Sequence, residues 1–244
     1  MVPKSSPMDF IPTPLILSCS DVFSHLIAHL ANLSFAEGCF PSCFKSALVT
    51  PLLKKPDLDT SNLSNFRPIS NLNNISKILE RLFLTRIKKH ITSSPNFSPY
   101  QSAYREGYST ETALLHTLDD IFSSIDLSAA FDTIDHQLLL SRLTKSFGVS
   151  GTALNWLASY LCDRNQQVGI GTVRSESTDC TTGVPQGSVL GPLLFTIFTS
   201  PISRIANHFG VQLQQYADDT QLHIALSHTY QSGKLKLEDC LSSM

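Results

Sequence analysis

Val211-Gln212-Leu213-Gln214-Gln215-Tyr216-Ala217-Asp218-Asp219-Thr220-Gln221-Leu222-His223-Ile224 is the stretch on which the fold turns. Its ends, Val211-Gln212-Leu213 and Leu222-His223-Ile224, read as two strands, and Tyr216-Ala217-Asp218-Asp219 reads as the acidic turn that joins them. Adjacent carboxylates at a turn repel each other, and the simplest compensation is a divalent cation. Taken alone, such a pair is better read as two solvated turn aspartates.

A third carboxylate lies upstream. Asp126 ends the short strand-like run Ile125-Asp126-Leu127 and is not needed as a helix cap. Three carboxylates from two strands suit two Mg²⁺ ions about 4 Å apart, the clamp for in-line phosphoryl transfer. One metal lowers the pKa of an attacking hydroxyl and the other stabilises a leaving pyrophosphate. Asp132 and Asp135 instead fall where a helix over 133–147 begins, and for them a capping and dipole role is preferred over metal binding.

The spacing predicts a helix from Asp21, as its cap, to about Ala36, with Val22, Phe23, Leu26, Ile27, Leu30 and Leu33 as its apolar face and Gly38 as its C-terminal cap. Ala47-Leu48-Val49 reads as a strand stopped by Pro51. The clearest helix spans 75–91, with Ile75, Ile78, Leu79, Leu82, Phe83 and Ile87 at helical spacing. Its opposite side carries Lys77, Arg81 and Lys88 in a narrow stripe, readable as a solvated face or as an RNA-backbone contact. Ser109 or Thr110 is expected to cap a helix to about Asp120, and further helices are expected over 152–161 and from Val189 or Leu190 to Arg204. The glycine-punctuated segment 167–174 reads as a hairpin. Helices mixed with short strands make the fold class α+β.

Composition bounds the alternatives. The 244 residues are 42% hydrophobic and 16% charged, enough apolar surface for a real core. A formal net charge of -2 excludes a wholesale basic coat for nucleic acid while leaving room for a local basic groove. The six cysteines, Cys19, Cys39, Cys43, Cys162, Cys180 and Cys240, are scattered through a chain too long to need staples, so reduced thiols are expected. No apolar run approaches the roughly 18 residues of a membrane helix, and the N-terminus lacks a signal peptide pattern. The expectation is a soluble intracellular protein, cytoplasmic or nuclear, with no membrane partner.

The order of the motifs carries more than any one of them. Phe66-Arg67-Pro68-Ile69-Ser70, Gln101-Ser102-Ala103-Tyr104-Arg105, Asp126-Leu127-Ser128-Ala129-Ala130-Phe131-Asp132, Gly183-Val184-Pro185-Gln186-Gly187-Ser188 and Tyr216-Ala217-Asp218-Asp219 follow one another along the chain. From about Phe23 to His228 the sequence resembles the reverse transcriptase domain of non-LTR (LINE-type) retrotransposons. The resemblance implies a right-hand polymerase fold with fingers and palm, and RNA-directed DNA polymerisation from dNTPs on an RNA template and a DNA primer. It implies two Mg²⁺ ions on Asp126 and Asp218, with Asp219 as third acidic member of the turn. Phe131 matches the bulky position that leaves no room for a ribose 2′-hydroxyl. Gln186 and Gly187 match the loop that packs against the incoming nucleotide and the template base. Arg67 and Lys54 or Lys55 match fingers residues that neutralise the triphosphate, and Arg105 matches a further fingers position.

Two departures from that family are visible. The lead-in to Asp126, Ile121-Phe122-Ser123-Ser124-Ile125, comes directly off the preceding helix, and residues look to have been lost there. On that reading Asp126 falls short of the Asp218-Asp219 turn. The chain also stops at Met244, so the thumb is expected to be absent and residues 231–244 to be a frayed end. The expected organisation is a loose tail over 1–20, an N-terminal helix and fingers-like region over 21–120, and a palm-like region over 121–230, with part of 135–180 returning to the fingers. The alternative to a working polymerase is a catalytically inactive, retrotransposon-derived remnant that at most binds RNA.

Overall fold

The computed structural model describes residues 6–104, 131–217, 219–222 and 237–243, and the backbone of 122–126 and of His223. Arg105, Asp218 and the helix expected before Asp120 lie outside the described residues. The chain divides into two compact units, one built from 1–89 and 131–191, the other from 90–130 and 192–244.

The first unit is organised by a sheet of order β2-β1-β4-β5, with β6 also pairing to β4. β1 (Ser46–Leu53) pairs antiparallel with β2 (Phe66–Asn71) and parallel with β4 (Arg164–Ile170). β1 does not stop at Pro51. Beyond Val49 it pairs with β2 alone, and Pro51 faces Pro68 across that ladder. Two opposed prolines have no N–H to exchange, so this is a non-hydrogen-bonded pair whose missing donors cost the sheet nothing. The hairpin read over 167–174 is present: β5 (Val173–Arg174) folds back on the end of β4, and Gly171 supplies the positive φ of 60° at the turn. β6 (Thr178–Cys180) pairs with the start of β4.

Among the described residues, five α-helices lie wholly or mostly in this unit. α1 (Thr13–Ser18) is followed by α2 (Ser20–Glu37), which closes on Gly38 in the left-handed conformation. Most of α3 (Asn74–Thr92) belongs here, as do α4 (His136–Lys145) and α5 (Gly151–Leu161). Asp135 caps α4, accepting the Leu138 N–H at 2.7 Å. Trp156 of α5 lies at the centre of the core, stacked on Phe83 with centroids 4.1 Å apart and edge-on to Phe40 at 5.3 Å.

Three expectations are corrected by this packing. The residue before α2's first turn is Cys19, so Asp21 sits inside the helix rather than capping it. Of the stripe read as buried, Val22, Leu26 and Leu33 are exposed, while Ala31 and Ser34 are buried. The helix turns its small residues inward because Ser34 Oγ accepts the Trp156 indole N–H at 2.8 Å and donates to the Cys39 carbonyl at 2.6 Å. Residues 6–18 are not a loose tail. Asp9 accepts the Asn74 N–H at 2.7 Å, and Asn73 and Asn74 donate to the carbonyls of Met8 and Ile11, both at 2.8 Å.

The second unit contains the sheet β3-β8-β7: β3 (Phe122–Asp126), β7 (Gln212–Tyr216) and β8 (Asp219–His223), antiparallel throughout. The long helix expected to Arg204 is two, α6 (Gly191–Thr199) and α7 (Ile202–His208), because Pro201 cannot occupy a helix interior. Ala206, Val211, Leu213, Leu222 and Cys240 form the core of this unit, the last from a helical segment at 237–242. All six cysteines are free thiols. Among the described residues no helix is long and apolar enough to cross a membrane.

Candidate active site

In the second unit the acidic hairpin is held in register from both sides. Tyr216 pairs with Asp219 across the β7–β8 turn, and on the other edge of β8 the five residues Phe122–Asp126 pair with His223–Asp219. The last pair is Asp126 opposite Asp219. The lead-in to Asp126, read as too short to reach the turn, therefore reaches it: Phe122 to Ile125 are each paired, as is Asp126 itself, and pairing rather than apolar length fixes the strand. Asp219 is exposed.

The turn itself is clamped by a residue the sequence reading passed over. Ala217 has φ 57°, a left-handed conformation that is unfavourable for a residue with a Cβ by about 1–2 kcal/mol. Buried Gln101 offsets that strain. Its Oε1 accepts the Ala217 N–H at 3.1 Å, and its Nε2 donates to the Ala217 carbonyl at 3.3 Å. The flanking backbone is joined too, since Ser102 N–H donates to the Gln215 carbonyl at 2.9 Å and Gln215 N–H to the Tyr100 carbonyl at 3.0 Å. Gln101 opens the motif Gln101–Arg105, which drew notice for its arginine. The available signal was a glutamine beginning an otherwise small and aromatic run.

In the first unit the loop Gly183–Ser188 is the meeting point of three motifs. Gly183 N–H donates to the Ile134 carbonyl and Val184 N–H to the Phe131 carbonyl, both at 2.8 Å. His136 Nε2 lies 2.7 Å from the Gly183 carbonyl; a carbonyl only accepts, so this nitrogen carries the proton. On the other side Ser70 N–H donates to the Gln186 carbonyl at 2.8 Å. The glycines are required by close approach. A Cβ on Gly183 would stand 2.8 Å from the Asp132 Cα and carbonyl oxygen, and one on Gly187 would stand 2.8 Å from the Ser70 carbonyl oxygen. Phe131 is half-buried, its ring beside Gly191. Gln186 is half-buried and Gly187 exposed. A cavity of about 350 Å³ opens here, with Pro68, Ser70, Asp132, Arg164, Gly183 and Pro185 in its wall. Asp132 shows surface to solvent, but the enclosure of its carboxyl at this cavity raises its pKa through desolvation.

The loop runs into α6, whose first N–H groups have no partner within the helix. Ser188 Oγ accepts the Gly191 N–H at 3.0 Å. The two residues before the helix are held by Glu80, a fully buried residue of α3 that sequence reading also missed. One of its oxygens accepts the N–H groups of Val189 at 2.8 Å and Leu190 at 3.1 Å, and the Tyr160 hydroxyl lies 3.3 Å from it. Ser76 donates to the other at 3.2 Å. Burial raises the Glu80 pKa, opposed by the Leu190 N–H, the charge of Arg164, the Val189 N–H and Ser76. A Ser76–Glu80 pair at helical spacing beside the apolar face was the only trace of this in the sequence.

The expected basic residues fall in two places. Lys54 and Lys55 follow the end of β1, Lys54 donating its N–H to the Asn65 carbonyl at 2.8 Å, and Arg67 stands opposite Leu52. All three are exposed, at one end of the β1–β2 hairpin. Lys77, Arg81 and Lys88 lie along α3, with Arg81 the most exposed and the other two half-buried. Among the described residues no group of three or more His, Cys, Asp or Glu is placed to hold a metal.

Comparison with known proteins agrees with this arrangement of motifs. Residues 53–244 match the family described as reverse transcriptase (RNA-dependent DNA polymerase). The chain is 33% identical to a probable RNA-directed DNA polymerase from transposon BS of Drosophila melanogaster, over 75% of this chain and 22% of that protein. It is 26% identical to the RNA-directed DNA polymerase from mobile element jockey of the same organism, over 89% of this chain and 25% of that protein. A probable RNA-directed DNA polymerase from transposon X-element, also of Drosophila melanogaster, is 28% identical over 74% of this chain and 21% of its own length. The chain thus spans about a quarter or less of the relatives it matches. The match over 53–244, with relatives among the polymerases of non-LTR retrotransposons, places the chain in the reverse transcriptase family, with its mixed α/β polymerase fold.

Proposed function

We propose that this chain is the fingers–palm part of a non-LTR retrotransposon polymerase and extends a DNA primer on an RNA template. The observation that carries the reading is the opposition of Asp126 and Asp219 across β3 and β8. Two carboxylate-bearing positions in direct register, next to Asp218, offer the all-oxygen donor set that Mg²⁺ favours. Asp126 and Asp218 would hold the ions with Asp219 beside them, and the metals would supply activation of the primer hydroxyl and stabilisation of the leaving pyrophosphate.

The chain's own residues do the rest. Gln101 holds the turn so that the aspartates are placed before substrate arrives, which is where electrostatic catalysis draws its strength. Arg67, with Lys54 or Lys55, binds the triphosphate, the guanidinium as a planar fork and the lysine as a point charge. Arg105 adds a further fingers contact. Phe131 excludes the ribose 2′-hydroxyl, and Gln186 and Gly187 bring backbone and amide to the nucleotide and template base. Lys77, Arg81 and Lys88 contact the RNA backbone.

The test is primer extension on an RNA template with Mg²⁺ and dNTPs, comparing the chain with its Asp218→Asn/Asp219→Asn variant. Extension by the first and not the second supports the reading. No extension by either folded protein overturns it, and salt-dependent RNA binding without extension would then identify a non-catalytic remnant.

A further inference from the structure

We infer that Glu80 is a positioning residue for the Gly183–Ser188 loop, setting the affinity for the incoming nucleotide from a helix that does not touch it. The nucleotide role of the loop rests on the polymerase reading above. The loop is secured at its start by the Phe131–His136 segment and in its middle by Ser70. Its exit, Val189-Leu190, is secured by Glu80 through the two N–H bonds. Those two donors lie just before α6, and Leu190 is fully buried. Without Glu80 they would be orphaned away from water, and the exit of the loop would move to find partners. A displacement of about 1 Å at Gln186 or Gly187 is enough to lower productive binding.

Two independent sets of contacts hold Glu80 itself. Its oxygens meet Ser76 one turn earlier on α3 and the Tyr160 hydroxyl of α5, while Arg164 at the start of β4 supplies the nearby positive charge. Arg164 is in turn fixed by donating to the Tyr160 carbonyl at 3.0 Å and by lying 4.9 Å from the centroid of the Tyr160 ring. The carboxylate is therefore a link between the helical core and the loop.

The experiment compares wild type with Glu80→Leu, which removes the acceptor at similar volume, and Glu80→Gln, which restores one. Amide hydrogen exchange is read on the 184–192 peptide, and kcat and KM for dNTP are read in primer extension. Glu80→Leu is expected to raise exchange in that peptide at least tenfold while a peptide from the β1–β2 hairpin is unchanged. KM for dNTP is expected to rise about tenfold with kcat changed less than threefold, and Glu80→Gln to recover most of both. Should Glu80→Leu fail to fold, Glu80→Asp keeps the charge but withdraws the acceptor by one methylene, and must still raise exchange. Unchanged exchange at 184–192 in a folded variant overturns the inference. Absence of extension by wild type, with the exchange pattern as expected, counts against the polymerase reading and leaves the positioning role standing.

Discussion

Asp126 and Asp219 are direct partners in the antiparallel pairing of β3 with β8, the terminal pair of that ladder. A slip of one residue would place Ile125 or Thr220 there instead, so the pairing along Phe122–Asp126 decides which side chains share the acidic end of the sheet.

From this register, Asp126→Asn and Asp219→Asn are each expected to reduce primer extension by at least 10²-fold while leaving thermal unfolding unchanged within a few degrees. Extension assays beside circular dichroism melts check both halves. Equal extension by the variants would remove these carboxylates from the chemistry.

Gly183 and Gly187 stand where any side chain meets backbone rather than a movable side chain, at φ 81° and 124°. Gly183→Ala and Gly187→Ala are each expected to cost about 2–4 kcal/mol, from left-handed strain together with the collision. Urea unfolding followed through the single Trp156, which lies in the core of the same unit, measures it. A loss below about 0.5 kcal/mol would show that the loop shifts freely.

Glu80 makes stability depend on pH in a defined direction. Its folded pKa lies above the ordinary 4.5 because burial disfavours the charge. The stabilisation conferred by its proton is fully present below 4.5 and is lost as pH rises through the folded value. The stability of wild type relative to Glu80→Gln should therefore fall with pH above 4.5 and level off beyond the folded pKa. Denaturant titrations at half-unit steps from pH 4 to 8 read this difference directly, and a constant difference would contradict it.

The α3 stripe predicts a salt effect. Replacing Lys77, Arg81 and Lys88 by alanine should weaken RNA binding and flatten the slope of log K against log salt by roughly 2–3, about one for each cation removed. Filter binding across a salt series gives the slope. An unchanged slope would place the RNA elsewhere.

Much was legible without coordinates. The hairpin around Tyr216–Asp219 and the turn at 167–174 were written in local pattern, as were the helix beginning near Asn74, the cap at Asp135 and the left-handed close at Gly38. Each depends on residues a few positions apart. The motif order also named the family, since five short motifs over some 150 residues rarely recur in sequence by chance.

What the sequence could not disclose lies in contacts between distant segments. The reach of Asp126 is a matter of pairing with β8, about ninety residues away, so a strand judged too short by its own hydrophobicity is held by its partner's hydrogen bonds. The inward face of α2 was decided by the Trp156 indole seeking Ser34, against the apolar stripe that periodicity favoured. Gln101 and Glu80 are polar residues whose value comes from backbone donors and acceptors of segments 116 and 110 positions along the chain. A sequence shows which groups need a partner, and the tertiary structure decides who supplies it, because an unmade hydrogen bond in the interior costs more than any local preference is worth.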